Sequence, residues 1–255
     1  MQKVCLILGA GSGIGGHVGK RFASEGFKVA LARRSDRQGL DRLVGEINNS
    51  GGCATGYIMD AVKEGAIETL IETVEAELGA IDVCVFNLGA QFGNLGLAET
   101  SLERFELGWR LTSMALFRVA KSLLPKMVER GGGTLLVTSA TAAMRGNKGQ
   151  LAHASAIGGR RLLCQALSAE FAPQNIHIVH IVVDGAVDSP DTLGRMIGRD
   201  RLAEYKYSLG EGKYRLLEPA HIADTYFHMS QQHPSAWTFE VDLRTHHDLP
   251  WWNSP

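Results

Sequence analysis

Residues 9–15 read Gly9-Ala10-Gly11-Ser12-Gly13-Ile14-Gly15, a run of small side chains that follows an apolar segment and opens a helical pattern. Side chains this small let backbone N–H groups approach a pyrophosphate, and the helix N-terminus adds positive potential. The chemistry indicated is dinucleotide binding through Gly9, Gly11, Ser12, Gly13, Ile14 and Gly15, the alternative being a tight strand-to-helix turn with no ligand. At the end of the next apolar segment stand Arg33 and Arg34. A carboxylate at that place would accept from a ribose 2′-hydroxyl, whereas a cation pairs with a 2′-phosphate. Two guanidinium forks suit the phosphate, so NADP(H) is favoured over NAD(H), with Asp36 keeping NAD(H) open. No metal is expected. His177 and His180 lie three apart on a strand and face opposite ways, while His246 and His247 sit near Trp251 and Trp252 as tail packing or a subunit contact.

The elements that must position these residues are legible as alternation. Short apolar runs at 4–8, 28–32, 54–59, 83–86, 134–138, 176–183 and 237–243 read as strands. Between them, segments 15–25, 39–48, 63–78, 102–130 and 151–171 carry apolar residues at spacings of three and four, with Pro125 expected to bend the fourth near its end. Runs apolar on both faces, such as Leu135-Leu136-Val137, need helices on both sides of a parallel sheet. The expected fold is therefore α/β: one Rossmann-type domain over residues 1–255, a doubly wound parallel sheet of about seven strands. Segment 190–219 lacks periodicity and mixes Gly, Arg and three tyrosines (Tyr205, Tyr207, Tyr214), which reads as an insertion or substrate lid.

Composition narrows the partners. The chain has 255 residues, 26 basic and 27 acidic side chains and a net charge of −1. That leaves no excess of positive charge for a nucleic-acid backbone or an anionic membrane. No run approaches the roughly 20 apolar residues of a membrane span, and the apolar run near the N-terminus is too short for a signal segment. Cys5, Cys53, Cys84 and Cys164 form no C-x-x-C pair and read as buried free thiols, which suits a reducing cytoplasm.

Gly9, Gly13 and Gly15 match a spaced G-x-x-x-G-x-G, and with this the sequence resembles the short-chain dehydrogenase/reductase family over residues 3–190. Met59-Asp60-Ala61 resembles the family's aspartate motif at the adenine ring, and Asn87-Leu88-Gly89-Ala90 resembles its N-N-A-G with Leu in place of the second Asn. Asp184-Gly185-Ala186-Val187-Asp188-Ser189 resembles its P-G-x-x-x-T loop beside the nicotinamide, with Asp for Pro and Ser for Thr. The resemblance thus implies cofactor contacts from Asp60, Ala61, Asn87, Leu88, Gly89, Gly185, Val187 and Ser189. It also implies a homo-oligomer, through the helices at 102–130 and 151–171.

The family's catalytic set is Ser, Tyr and Lys spaced S-x12-Y-x3-K, with an Asn on the preceding long helix. Laid over this chain, the pattern puts His153 at the tyrosine, Ile157 at the lysine, Ala140 at the serine with Ser139 one place early, and Thr112 at the asparagine. None of the five tyrosines has Lys four residues later. The chain resembles an atypical branch that commonly carries Phe at the tyrosine position yet keeps the lysine; here the lysine is gone too. His153 could act as the acid, since imidazole titrates near neutrality, or could fill the hole that tyrosine leaves. Ser139 could donate to a substrate carbonyl. Three readings follow: an NADP(H)-dependent oxidoreductase acting on a carbonyl or alcohol with a non-standard site, a non-catalytic NADP(H)-binding protein or partner subunit, or cofactor-independent chemistry in a reshaped site. Phe92, Leu95, Met144 and Leu193 hint at an apolar small-molecule substrate.

Overall fold

Seven apolar runs become seven strands because each can bury both faces at once. A computed structural model describes residues 2–89, 94–207 and 215–253. In it β1 (Val4–Leu8), β2 (Lys28–Arg33), β3 (Cys53–Ile58), β4 (Ile81–Phe86), β5 (Gly133–Ala140), β6 (Ile176–Val183) and β7 (Glu240–Leu243) form one sheet in the order β3-β2-β1-β4-β5-β6-β7. Every pairing is parallel. The chain builds outward from β1 to β3 and then crosses back to β4, so the direction of winding reverses between β1 and β4, where such sheets open a crevice at the carboxyl ends of their strands.

Neighbouring residues on a strand face opposite layers. Leu136 packs with Ile7, Leu31, Val18, Phe22, Leu40 and Tyr226 on the layer of α1 (Ile14–Ser24), α2 (Arg37–Asn49) and a late helix, Pro219–Ser230. Leu135 and Val137 pack with Leu6, Phe86, Ile67, Leu70, Leu123 and Leu167 on the other, built by α3 (Ala66–Leu78) and two helices further along. This is the single-domain doubly wound α/β architecture expected.

The long helix expected over 102–130 forms, with one π turn interrupting its α hydrogen-bond pattern. It comprises α4 (Leu102–Trp109), one π turn at Arg110–Met114, and α5 (Ala115–Glu129), which carries Pro125. Thr112 Oγ1 donates to the Gly108 carbonyl (2.7 Å) and Ser113 Oγ to the Ala156 carbonyl on α6 (Leu151–Phe171; 2.8 Å). Single π turns of this kind concentrate at functional sites. Segment 190–219 is also more regular than its sequence suggested, holding α7 (Leu193–Ile197) and α8 (Arg199–Tyr207) before α9 (Pro219–Ser230) begins. α8 gave no periodic signal because it is almost wholly polar, with Leu202 as its buried apolar contact.

Of the four free cysteines, Cys5, Cys84 and Cys164 are buried as expected, and burial pushes the last two thiols up to about 12. Cys53 is exposed instead, because it opens β3 at the edge of the sheet. Among the described residues no helix is long and apolar enough to cross a membrane.

The turn between β1 and α1 fixes the crevice. Gly9 has φ +95°, and a Cβ there would lie 2.6 Å from the Asn87 carbonyl oxygen. Gly9→Ala should therefore lower stability by about 2–4 kcal/mol through combined strain and clash. Urea unfolding monitored by circular dichroism checks it, and an unchanged midpoint would show that the turn can relax.

Candidate functional site

The carboxyl ends of β1, β2, β4 and β5 and the loop after β6 surround the crevice. At its centre Gly9, Gly11, Ser12, Gly13, Ile14 and Gly15 turn the chain from β1 into α1. The N–H groups of Gly9 and Ala10 both donate to the Ala32 carbonyl at 2.9 Å. No side chain caps α1. Its first-turn N–H groups, which no helix can satisfy internally, therefore point into the crevice as donors for an anion. A Cβ on Gly13 would come 2.6 Å from Ser189 Oγ, so the loop after β6 rests directly on the glycine turn. Such close approach, open N–H donors and absent side chains fit a dinucleotide's pyrophosphate.

The other residues expected to contact cofactor converge on the same edge. Asn87 Nδ2 donates to the Gly9 carbonyl (2.9 Å), tying the end of β4 to the glycine turn. Asp60 is half-buried after β3 and accepts from the Val62 N–H at 3.3 Å, while Ala61 is buried. Leu88 and Gly89 continue beyond β4; Ala90 and Phe92 lie outside the described residues. Gly185 has φ +149°, Val187 bridges to Leu217, and Ser189 is buried.

Arg33 and Arg34 part company. Arg34 is exposed. Arg33 is 14% exposed and its Nη2 meets two carboxylates, Asp36 Oδ2 at 3.0 Å and Asp191 Oδ2 at 2.7 Å. Beside it lies a cavity of about 330 Å3 lined by Ser12 and by charges of both signs, Lys20, Arg33 and Arg42 with Asp36, Glu46 and Asp191.

At the position where the reacting group would sit, Ser139 and His153 approach from different elements. Ser139 continues the Leu135–Val137 face of β5, the face that α6 covers, and its Oγ is buried with no hydrogen-bond partner among the described residues. Thr138 faces the opposite layer, where Oγ1 meets the buried Tyr226 hydroxyl at 2.7 Å. His153 lies in the first turn of α6 and lines a narrow cleft with Leu95, Thr100 and Arg104. No hydrogen bond joins it to Ser139 Oγ. Thr112 has spent its hydroxyl inside its own helix. Ile157 is fully buried, one turn beyond His153.

The residue that sequence reasoning passed over is Arg160, two turns along α6 from His153 on the same stripe. It is 2% exposed. Its Nη1 donates to the Thr138 carbonyl and its Nη2 to the Leu88 carbonyl, both at 2.7 Å, and its guanidinium lies 4.9 Å from the Phe86 ring. No carboxylate pairs with it among the described residues, and burial pushes its pKa down to about 10. The guanidinium thus fastens the ends of β4 and β5 together beneath the crevice. An Arg in an α6 pattern reads as a solvated face, so only its contacts reveal it.

The remaining candidates fall outside the crevice. His177 Nε2 donates to the Thr238 carbonyl (2.9 Å) and the ring stacks on Trp237; His180 meets Glu240 at 2.9 Å, and burial pushes it down to about 4. Among the described residues no cluster could hold a metal ion. Tyr205 is exposed on α8 with the Arg215 guanidinium 5.8 Å from its ring; the Tyr207 side chain and Tyr214 lie outside the described residues. The tail folds back on the sheet, with the Trp251 N–H donating to Asp184 and its indole to Asp242.

Comparison with known proteins settles the lineage. Residues 3–194 match the model of the short chain dehydrogenase family. The chain belongs to the short-chain dehydrogenases. A 3-oxoacyl-(acyl-carrier-protein) reductase of Thermotoga maritima is 30% identical over 190 residues, 74% of this chain and 76% of that protein. A short-chain reductase of Streptomyces niveus is 30% identical over 229 residues, 88% of this chain and 85% of the relative. The crystal structure of a short-chain dehydrogenase from Rhodopseudomonas palustris is 31% identical, with a TM-score of 0.79 over 96% of this chain and 99% of that one. This short-chain dehydrogenase therefore has the family's nucleotide-binding oxidoreductase fold.

Arg160→Leu would strand the Leu88 and Thr138 carbonyls, each worth about 1–3 kcal/mol when buried and unpaired, against the relief of no longer burying a charge. A net loss of about 2 kcal/mol in urea unfolding is expected, with Arg160→Lys recovering part of it because one ammonium cannot span both carbonyls. Equal or greater stability of the Leu variant would refute the bracing role.

Proposed function

We propose that this short-chain dehydrogenase is an NADP(H)-dependent oxidoreductase that interconverts a carbonyl and an alcohol on a small, apolar substrate through a non-standard proton donor. The observation that carries the reading is the largely buried Arg33 guanidinium at a cavity that Ser12, Lys20 and Arg42 also line, beside the uncapped first turn of α1; Asp36, Glu46 and Asp191 line the same cavity and balance its cations. NADP(H), when bound, supplies or accepts the hydride. The chain's own residues do the rest. The first turn of α1, with Gly9, Gly11, Gly13, Ile14 and Gly15 supplying backbone, holds the pyrophosphate; Asp60 and Ala61 flank the adenine; Arg33 and Ser12 take the 2′-phosphate. Leu88, Gly89, Gly185, Val187 and Ser189 position the nicotinamide end.

Proton transfer falls to His153, with the unspent Ser139 hydroxyl donating to the oxygen on which negative charge develops. A second reading rests on one feature: Ile157 places an apolar side chain where a ribose-binding cation would be, which suits a nucleotide-binding protein without turnover. Assembly into a homo-oligomer belongs to the proposal as well. Leu102, Phe105, Trp109, Met114, Phe117 and Leu162 are exposed on α4, the π turn, α5 and α6, the helices expected to make the subunit contact.

Calorimetric titration should give NADPH a dissociation constant about tenfold or more below that of NADH, a gap of about 1.4 kcal/mol, and Arg33→Leu should close it. Equal affinities in the native protein would reject the NADP(H) assignment. With NADPH saturating, His153→Ala should cut kcat/KM on any turned-over carbonyl by about 10²- to 10⁴-fold; binding without turnover across a broad carbonyl panel would favour the second reading. Light scattering showing a monomer at micromolar concentration would remove the oligomer.

A further inference from the structure

The loop after β6 contributes a group to the phosphate seat that no motif assigns. Ser12 N–H donates to Asp191 Oδ2 at 3.0 Å, and the Asp191 N–H returns a bond to Ser12 Oγ at 3.3 Å. The same Oδ2 takes the Arg33 guanidinium at 2.7 Å. One carboxylate oxygen is thus held by a backbone N–H of the glycine turn and by the guanidinium at the end of β2, contacts made across 179 and 158 residues of chain. These are the two kinds of donor that a nucleotide phosphate needs: a preorganised N–H and a planar cation. Asp191 is only 22% exposed at its side chain, and Arg195 stands 3.9 Å from its other oxygen. Burial pushes its carboxyl up, yet the Ser12 N–H and hydroxyl and the Arg33 and Arg195 guanidiniums outweigh that and hold it below the usual carboxylate range. It is ionised at neutral pH.

We infer that Asp191 is an internal stand-in for the cofactor's 2′-phosphate: it fills the seat between Ser12 and Arg33, so that the seat accepts NADP(H) only by displacing it. The inference rests on the NADP(H) reading and sharpens it. Two anions cannot share one guanidinium and one N–H without repulsion, so affinity for a 2′-phosphate is set by the difference between phosphate and Asp191, not by Arg33 alone. NAD(H), which brings no charge to this seat, leaves Asp191 in place. Asp36, the second carboxylate on Arg33, is more exposed and bonds to the Gly39 N–H as the cap of α2, so it stays when Asp191 leaves. Asp191 is accordingly a specificity residue that tempers the preference set by Arg33.

The test is calorimetry on native protein and Asp191→Asn with three probes: NADPH, NADH and adenosine 2′,5′-bisphosphate. Asn keeps the acceptor for Ser12 N–H and the volume, and removes the charge. Thermal melting confirms that it folds, and Asp191→Ala serves as a second variant. NADPH and the bisphosphate should bind Asp191→Asn about tenfold more tightly, in line with loss of one close like charge in a partly exposed site, with NADH changed less than about twofold. If the native protein binds NADPH and both variants bind it no better, the inference fails while the NADP(H) reading stands. If NADH tightens as much as NADPH, Asp191 opposes the pyrophosphate common to both and the 2′ assignment is overturned. If no dinucleotide binds but the bisphosphate binds Asp191→Asn alone, the seat stands and the oxidoreductase reading falls; if nothing binds any form, both fall.

Discussion

Backbone packed on backbone at the β1–β4 junction is the constraint on which the site depends. The Gly9 carbonyl accepts from Asn87 Nδ2, the Gly9 Cα lies against the Asn87 carbonyl, and a Cβ on Gly15 would strike the Gly9 carbonyl. These contacts hold the first turn of α1 over the ends of two strands. Nothing larger than hydrogen fits at either glycine, so the dipole and the open N–H groups of α1 are aimed by exclusion of side chains. The crevice exists because the winding reverses here, and it is narrow because these two glycines let it be.

Around that fixed corner the second support is a buried cation. Most folded chains avoid burying a guanidinium without a carboxylate, because desolvation is costly. Arg160 offsets the cost with two short bonds to carbonyls at the ends of β4 and β5 and a face-on contact with Phe86. The carbonyls it holds belong to Thr138, which precedes Ser139, and to Leu88, in the segment expected to meet the nicotinamide. A positive charge consequently lies beneath the crevice although Ile157 brings none, delivered from one turn further along the same helix stripe.

How far the sequence discloses this depends on the range of the interaction concerned. Strands apolar on both faces and helices with three-four spacing are local patterns, and the seven strands emerge within a few residues of their expected limits; β7 begins at Glu240 instead of Trp237. The glycine turn is local as well. The π turn is not legible, since Thr112 and Ser113 carry no periodic signal and their bonds to Gly108 and Ala156 exist only after packing. α7 escapes notice because five residues are too short to show a period, and α8 because its apolar residues are too few to mark a face. Arg160 and Asp191 are invisible for a different reason: their partners lie 22 to 179 residues away, and residue type alone cannot distinguish a solvated charge from one spent inside a site.

The same distinction separates the positions on which the family's catalytic pattern would fall. Thr112 closes a hydrogen bond within its own helix, Ile157 is sealed into the protein interior, and neither leaves a buried polar group in need of a partner. Both positions are thereby self-sufficient. Ser139 is the exception, a buried hydroxyl at the end of β5 that faces α6 and has no partner among the described residues. An unspent donor of this kind costs stability, and a substrate oxygen at the mouth of β5 is the acceptor that would recover it. The folding demands of the sheet are met by its two apolar layers and the glycine turn, so selection on the reacting end of the crevice is free to act on hydrogen-bonding groups one at a time.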